Sequence, residues 1–186
     1  KDSEIYRGMK LIDEELGGTT PLDIILKFKE NKISNISSID DDLEIDLEFN
    51  EDLFSQSDNS LQKSWFDEEK IEKIKEVHNY LNNRKEIGKV QSIYSLIQVA
   101  EKINRKPLDS FTLNVIYEEM PETYKELLIY PFLSIDNNMI KFHTRVLDSN
   151  KIIRNQLINE IKRDLSKESE ILEEVKVNGL LVLYNN

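Results

Sequence analysis

The stretch that decides the fold runs from Met139 to Leu165 and reads MIKFHTRVLDSNKIIRNQLINEIKRDL. Its first eight residues alternate, which predicts a strand that buries one face; the buried positions are Ile140, Phe142, Thr144 and Val146. Apolar residues then recur at helical spacing after a capping Asp148 or Ser149, at Ile153, Leu157, Ile161 and Leu165. A further strand is predicted at residues 175–184, with a bulge or a close backbone approach at Gly179. This order is a β-α-β unit.

The same order of elements occurs earlier in the chain. Alternating apolar residues predict a strand at 22–29, Asp67 can cap a helix over 67–82, and a short strand follows at 87–93. The two halves together give β-α-β-β-α-β, the split βαβ or ferredoxin-like pattern of the α+β class. Right-handed crossovers then place both helices on one face of a four-stranded sheet.

Three segments stand outside this core, which covers residues 21–29, 67–93 and 139–184 of a single predicted domain 1–186. A helix from Ser3 to Leu16 precedes it and should end at Gly17-Gly18, because glycine readily adopts left-handed geometry. The insertion 30–66 contains an alternating acidic run, which predicts an extra edge strand. The insertion 94–138 is predicted to be helical, with breaks at Pro107, Pro121 and Pro131.

Composition excludes several classes of function. The 186 residues carry 25 basic and 36 acidic side chains, a net charge of −11, which opposes binding to nucleic acid or to anionic lipid. There is no cysteine, so thiolate catalysis, zinc–thiolate sites and disulfides are excluded. No apolar run approaches the roughly 18–20 residues that cross a bilayer.

The sequence offers no convincing chemical centre. His78 and His143 lie on different elements and lack a metal-binding spacing, so a packed and a surface histidine are expected. The acids of Asp40–Glu48 lie along one strand face without the glycine turn of a calcium loop. Gly17-Gly18 follows a helix and lacks the lysine of a phosphate loop. We therefore predict no catalytic residue, no cofactor, no metal and no enzymatic activity.

The insertion 94–138 is unusually rich in aromatic side chains, the clearest of which are Phe111, Tyr117, Tyr124, Tyr130 and Phe132. Two interpretations are open. The cluster could form the buried core of a helical lobe. Alternatively it could form the wall of a hydrophobic substrate path or an interface, since exposed apolar patches of several hundred Å² usually mark such sites.

Four segments, in order, resemble one family. They are IDEELGGTTPLDIIL at 12–26, GKVQSIYSL at 88–96, RVLDS at 145–149 and VNGLLVLYNN at 177–186. They are similar to the extracytoplasmic loop between the first and second transmembrane helices of exporters of the resistance–nodulation–division (RND) superfamily, MMPL type. The stretch 30–65 has no counterpart in this resemblance. The chain also begins at Lys1 without methionine, which we interpret as a fragment of a longer protein.

The resemblance implies a porter domain on the extracytoplasmic (periplasmic) side of an inner-membrane protein. Such domains are ferredoxin-like and bind or gate lipids or hydrophobic small molecules, while proton entry through the membrane helices supplies the energy. Expected partners are the second porter domain and the transmembrane helices of the same polypeptide, together with an amphiphilic substrate. A free-standing ferredoxin-like module that binds a ligand or a protein is the alternative. The sequence leaves the substrate and the oligomeric state open.

Overall fold

The computed structural model describes residues 3–15, 17–29, 65–147, 154–167 and 170–179. The chain divides into two units, Lys1–Lys29 with Phe66–Asn186 and Glu30–Trp65, and every helix and strand of the described residues belongs to the first unit. The helices are α1 (Glu4–Glu15), α2 (Glu68–Asn82), α3 (Ile93–Asn104), α4 (Ser110–Glu119), α5 (Glu122–Tyr124), which continues as a π-helical turn (Lys125–Ile129), and α6 (Arg154–Lys167). The strands are β1 (Thr20–Phe28), β2 (Ile87–Gln91), β3 (Leu133–Ser134), β4 (Met139–Val146) and β5 (Leu172–Asn178).

The sheet has the strand order β2-β4-β1-β5, and the short β3 pairs with β4. Every pairing is antiparallel; in the centre of the sheet Ile24 of β1 lies opposite Phe142 of β4 and Val177 of β5. Each β-α-β half therefore leaves a gap of one strand, which the other half fills. This is the split βαβ arrangement predicted from the order of elements, and it confirms the α+β fold class.

Both long helices pack on the same face of the sheet. Strand side chains on that face are fully buried, among them Leu22, Ile24, Ile140 and Phe142. The helices supply the other half of the core, from α2 with Ile74, Val77 and Leu81 and from α6 with Leu157, Ile161 and Leu165. Burial of these aliphatic side chains, at roughly 25 cal/mol per Å² of apolar surface, is the main stabilising term of the fold.

The glycines after α1 permit a close approach between backbones. Gly17 and Gly18 have φ angles of +71° and +107°, and the N–H of Gly18 donates to the carbonyl of Asp13 (2.7 Å). A Cβ on Gly88 would overlap the carbonyl group of Gly17. The predicted helix stop is confirmed, and the contact with β2 gives a further reason for glycine at these positions.

The predicted close approach at Gly179 is also confirmed. This residue has φ +140°, and a Cβ there would lie 2.6 Å from the carbonyl oxygen of Pro21. The end of β5 therefore lies beside the start of β1, which the chain enters after Gly18. The incoming and outgoing chain lie at the same end of the sheet.

Some boundaries differ from those predicted. Strand β5 begins at Leu172, three residues before the predicted start, because Leu172 pairs with Phe28 beyond a register shift in β1. The predicted continuation of this strand over 180–184 lies outside the described residues, as does the acidic edge strand predicted within the insertion 30–66. Strand β3 was not predicted; it forms a hairpin with β4 that turns at Asn138, whose φ is +51°.

Candidate functional site

Local capping residues determine where the helices of the insertion between β2 and β4 begin and end. Ser92 caps α3 in a capping box with Ser95, and Asp109 caps α4 by accepting a hydrogen bond from Thr112 N–H (2.8 Å). Arg105, with a φ of +59°, ends α3 in the left-handed conformation shortly before Pro107. These caps fix where the two helices start and stop, and so which of their side chains face each other.

An apolar groove lies between α3, α4 and the π-helical turn, with a volume of about 220 Å³. It is lined only by apolar and aromatic side chains, which include Leu96, Ala100, Ile116, Tyr117, Met120 and Leu128. No charged residue lines it. Concave, mostly apolar sites of this kind are the usual binding places for small hydrophobic ligands.

The rim of the groove is open to solvent. Ile103 and Val99 on α3 are 79% and 54% exposed, and Ile116 on α4 is 39% exposed. In a folded domain, apolar side chains that line a cleft between two helices are normally covered by another helix, strand or loop. The groove and its rim together form an exposed apolar surface, and surfaces of this kind often serve as contact sites in other proteins.

Phe66, two residues before α2, lines the groove and is held in place by a link to α4. Asn114 of α4 binds the backbone of Phe66: its Oδ1 accepts from the Phe66 N–H (3.2 Å) and its Nδ2 donates to the Phe66 carbonyl (2.9 Å). The buried Phe66 ring packs against Tyr117, with centroids 5.9 Å apart. The Lys125 ammonium lies 4.7 Å from the centroid of the Tyr117 ring. This cation therefore stands beside an otherwise uncharged site.

The structure places only one of the five aromatic site candidates in the groove, namely Tyr117. Phe111, Tyr124 and Tyr130 are 75%, 56% and 45% exposed and do not line it. Tyr130 donates to the Glu122 carboxylate (2.5 Å), and this hydrogen bond raises the pKa of the phenol. Phe132 is half-buried in the chain reversal before β3, where its carbonyl accepts from the Lys141 N–H (2.7 Å).

The interpretation of the aromatic cluster as a buried lobe is therefore wrong for Phe111, Tyr124 and Tyr130. Sequence reasoning also missed that α3 provides one wall of the groove. The signal was present, because Leu96, Ile97, Ala100 and Ile103 recur on one side of this helix. What the sequence did not show is that no other element covers that side among the described residues.

The two histidines have different surroundings. His78 is buried on α2, with its Nδ1 2.9 Å from the Ser92 hydroxyl oxygen and its ring edge-on to Tyr94. Burial lowers its pKa from the ordinary value. His143 is half-exposed on β4, and its Nδ1 lies 2.6 Å from an Asp23 carboxylate oxygen. Sequence spacing gave no sign of this second pair, because the two residues meet only across the β1–β4 ladder.

Neither histidine belongs to a cluster with metal-binding geometry: within the part of the chain that the structure describes, no three His, Asp or Glu side chains converge on one point. Of the helices described, none has both the length and the apolar character to span a bilayer. Comparison of the chain with known protein families, with characterised proteins and with solved structures finds no match.

Proposed function

We propose that this chain is a non-catalytic binding domain whose helical insertion takes up a hydrophobic or amphiphilic molecule. The observation that carries the proposal is the solvent-open groove between α3 and α4, which has an entirely apolar lining. An empty site of this kind exposes hydrophobic surface to water, and a ligand that covers it gains roughly 25 cal/mol per Å².

The size of the groove and the cation of Lys125 beside Tyr117 limit the class of ligand that would fit. A volume of about 220 Å³ lies below the ~300–1,000 Å³ of pockets that enclose drug-sized molecules. The groove therefore fits one aliphatic chain or ring, with the remainder of the ligand outside. Lys125, beside Tyr117, is placed to meet an anionic head group. A fatty acid or a related acidic amphiphile has this combination of parts.

We further propose that the domain acts as the extracytoplasmic porter domain of an RND-type exporter of lipids or hydrophobic small molecules. Three observations support this role: the resemblance in four ordered segments, the split βαβ fold, and the apolar groove. The positions of Gly18 and Gly179 at one end of the sheet also suit a domain attached through both of its chain ends. Binding and gating would then be its contribution, with proton coupling supplied by membrane helices elsewhere in the polypeptide.

A displacement assay tests the groove: dodecanoate should displace a fluorescent apolar probe from the purified chain, and the loss of probe fluorescence gives its affinity. Ile103→Glu places a carboxylate on the rim and should weaken dodecanoate binding about tenfold or more, since burying an unpaired charge is unfavourable. Ile5→Glu is the matched control, because Ile5 is 76% exposed on α1, away from the groove, and Ile103 is 79% exposed. Equal affinity of the two variants, or no binding by the unmodified chain, would contradict the proposed ligand site.

The transporter role requires a separate observation, the sequence of the encoding gene. It should continue on both sides of this segment into apolar stretches of about 20 residues. In the full protein, Tyr117→Ala should reduce transport more than it reduces the amount of folded protein. An open reading frame that ends at Asn186 would instead support a free-standing binding module, and the result for dodecanoate would be unaffected.

A further inference from the structure

The sheet face opposite the helices carries an excess of positive charge. Register fixes which side chains point to this open face: those that alternate with the buried core positions of each strand. On β2 and β4 these include Lys89, Lys141 and Arg145, which we call the cationic stripe. Lys89 and Arg145 are exposed and Lys141 is half-exposed. The stripe occurs in a chain whose net charge is −11.

The stripe differs from the other cations of the same face in lacking a counter-charge. On the β1–β5 side, Lys27 pairs with Glu173 (2.9 Å) and Lys176 pairs with Glu174 (2.8 Å). Over residues 65–147 and the other described ranges, none of the three cations of the stripe has an ion-pair partner. Asp23, which lies on the same face opposite His143, is bound to that histidine.

The arrangement of the stripe is unfavourable for the isolated domain. Lys89 of β2 lies directly opposite Arg145 of β4. Like charges in opposite positions on neighbouring strands destabilise a sheet. A negatively charged partner would remove this repulsion, and the same cations would then favour binding.

We propose that the open sheet face binds an acidic segment of a partner protein, whose carboxylates pair with Lys89, Lys141 and Arg145. Two apolar residues on this face, Pro21 and Ile25, lie opposite Arg145 and Lys141 across the β1–β4 ladder and provide a less polar contact area. Charged groups around an apolar centre are typical of the rim and core of protein–protein interfaces. Complementary charge would also accelerate association.

Two other polyanions fit the face less well. Single-stranded nucleic acid is held by aromatic side chains that stack on its bases, and apart from His143, which is bound to Asp23, the outward positions of β1, β2 and β4 carry no aromatic ring. An anionic membrane is a large charged surface, and the net charge of −11 repels it within a Debye length of about 10 Å. A short acidic peptide contacts only the stripe and avoids most of this repulsion.

The test compares three dye-labelled probes on the full chain at low salt: a poly-L-glutamate peptide, an oligo-dT strand and vesicles that contain phosphatidylserine. The peptide should bind, and its affinity should fall as salt is added. The triple variant Lys89→Glu, Lys141→Glu, Arg145→Glu should bind it at least about tenfold more weakly. The matched control Lys102→Glu, Lys106→Glu, Lys162→Glu changes three exposed cations elsewhere by the same total charge and should bind like the unmodified chain.

Three results would overturn the proposal: no binding of the peptide by the unmodified chain, an equal loss in both triple variants, or tighter binding of the oligonucleotide or vesicles than of the peptide. If the charge-reversed stripe variant does not fold, the Gln variants of the same three positions take its place. They remove the positive charge and its mutual repulsion, so they should be at least as stable as the unmodified chain while losing peptide affinity.

Discussion

At the scale of single residues, His78 shows how burial couples protonation to stability. Its imidazole is enclosed by the Ser92 hydroxyl and the Tyr94 ring, and burial lowers its pKa from the ordinary value of 6.5. Between the lowered pKa of the folded chain and about pH 6.5, the unfolded chain therefore binds a proton that the folded chain does not bind. The contribution of His78 to the free energy of unfolding therefore increases as the pH rises through that range.

His78→Gln should remove this part of the pH dependence. Urea unfolding at a series of pH values from mildly acidic to neutral measures it: the unmodified chain loses stability on acidification more steeply than the variant does. Val77→Ala is the control, since Val77 is also buried on α2 but does not titrate. That variant should be less stable at every pH and should keep the original slope. A slope unchanged by His78→Gln would show that His78 binds protons equally in the folded and the unfolded chain, so that burial does not lower its pKa.

Gly88 offers a second test at the same scale. A Cβ at this position would overlap the Gly17 carbonyl group, a contact that no pair of such atoms tolerates. Gly88→Ala should therefore lower the free energy of unfolding by about 1–3 kcal/mol, because backbone on one side must move. Thermal or urea unfolding measures the change.

Gly8→Ala is the matched control for this substitution. Gly8 lies within α1, and a Cβ there meets nothing within 4 Å. Alanine is the better helix former by up to about 1 kcal/mol, so this variant should be neutral or slightly stabilised. If Gly88→Ala lowered the free energy of unfolding no more than Gly8→Ala does, the α1–β1 turn and β2 would not be in close contact.

At the scale of elements, a polar network joins α2 to α6 beside their shared apolar core. Arg84, just after α2, donates to Glu160 of α6 (2.7 Å) and to the Tyr80 hydroxyl (2.8 Å), and Tyr80 donates to Asp164 (2.8 Å). The hydrogen bond from Arg84 lowers the pKa of the Glu160 carboxyl. The network fixes the relative position of the two helices along the sheet, which apolar contacts alone define less strictly.

Arg84→Ala should reduce the free energy of unfolding by about 1–3 kcal/mol, since it removes the mostly buried guanidinium that donates to both Glu160 and Tyr80. The control is Arg163→Ala on α6, whose guanidinium also contacts a carboxylate, Asp164, but whose side chain is 59% exposed compared with 16% for Arg84. Exposed ion pairs contribute at most about 1 kcal/mol. Urea unfolding of both variants tests the difference, and equal effects would mean that the network contributes no more than a surface pair.

The elements also show how far local patterns reach. Alternation predicted β1 and β4, and the 3.6-residue period predicted α2 and α6, because each of these elements buries one continuous face. The same reasoning missed β3, a two-residue strand too short for any period. It also placed the start of β5 too late, since Leu172 belongs to the strand through its pairing with Phe28 and not through its own neighbours.

At the scale of the whole molecule, stability should be concentrated in the sheet and its two covering helices. Helix α1 is less buried than this core, since Ile5, Leu11 and Ile12 are 76%, 59% and 49% exposed. A 12-residue helix whose described apolar side chains are mostly exposed gains little stability from burial and is only marginally stable in water. It should therefore open locally without unfolding of the remainder.

Hydrogen–deuterium exchange measured by mass spectrometry tests this distribution. Peptides from α1 should exchange fastest among the described helices, and those from β1 and β4, which are paired on both sides at the centre of the sheet, should exchange slowest. Addition of dodecanoate should protect α3 and α4 selectively if the proposed ligand site is correct. Protection of α1 equal to that of β1 would show that another part of the molecule covers its apolar side chains.

The sequence by itself determined the order of the helices and strands except β3, and also the glycine turns, because these depend on periodicity, caps and φ angles that act over a few residues. The right-handedness of β-α-β crossovers then placed both long helices on one face of the sheet. The sequence also singled out Tyr117, which lines the α3–α4 groove. Only the tertiary structure decided which apolar side chains remain uncovered. The α3–α4 groove and the cross-strand position of Lys89 opposite Arg145 arise where residues distant in sequence meet. The exposure and the charge of such a surface therefore cannot be predicted from the pattern of neighbouring residues.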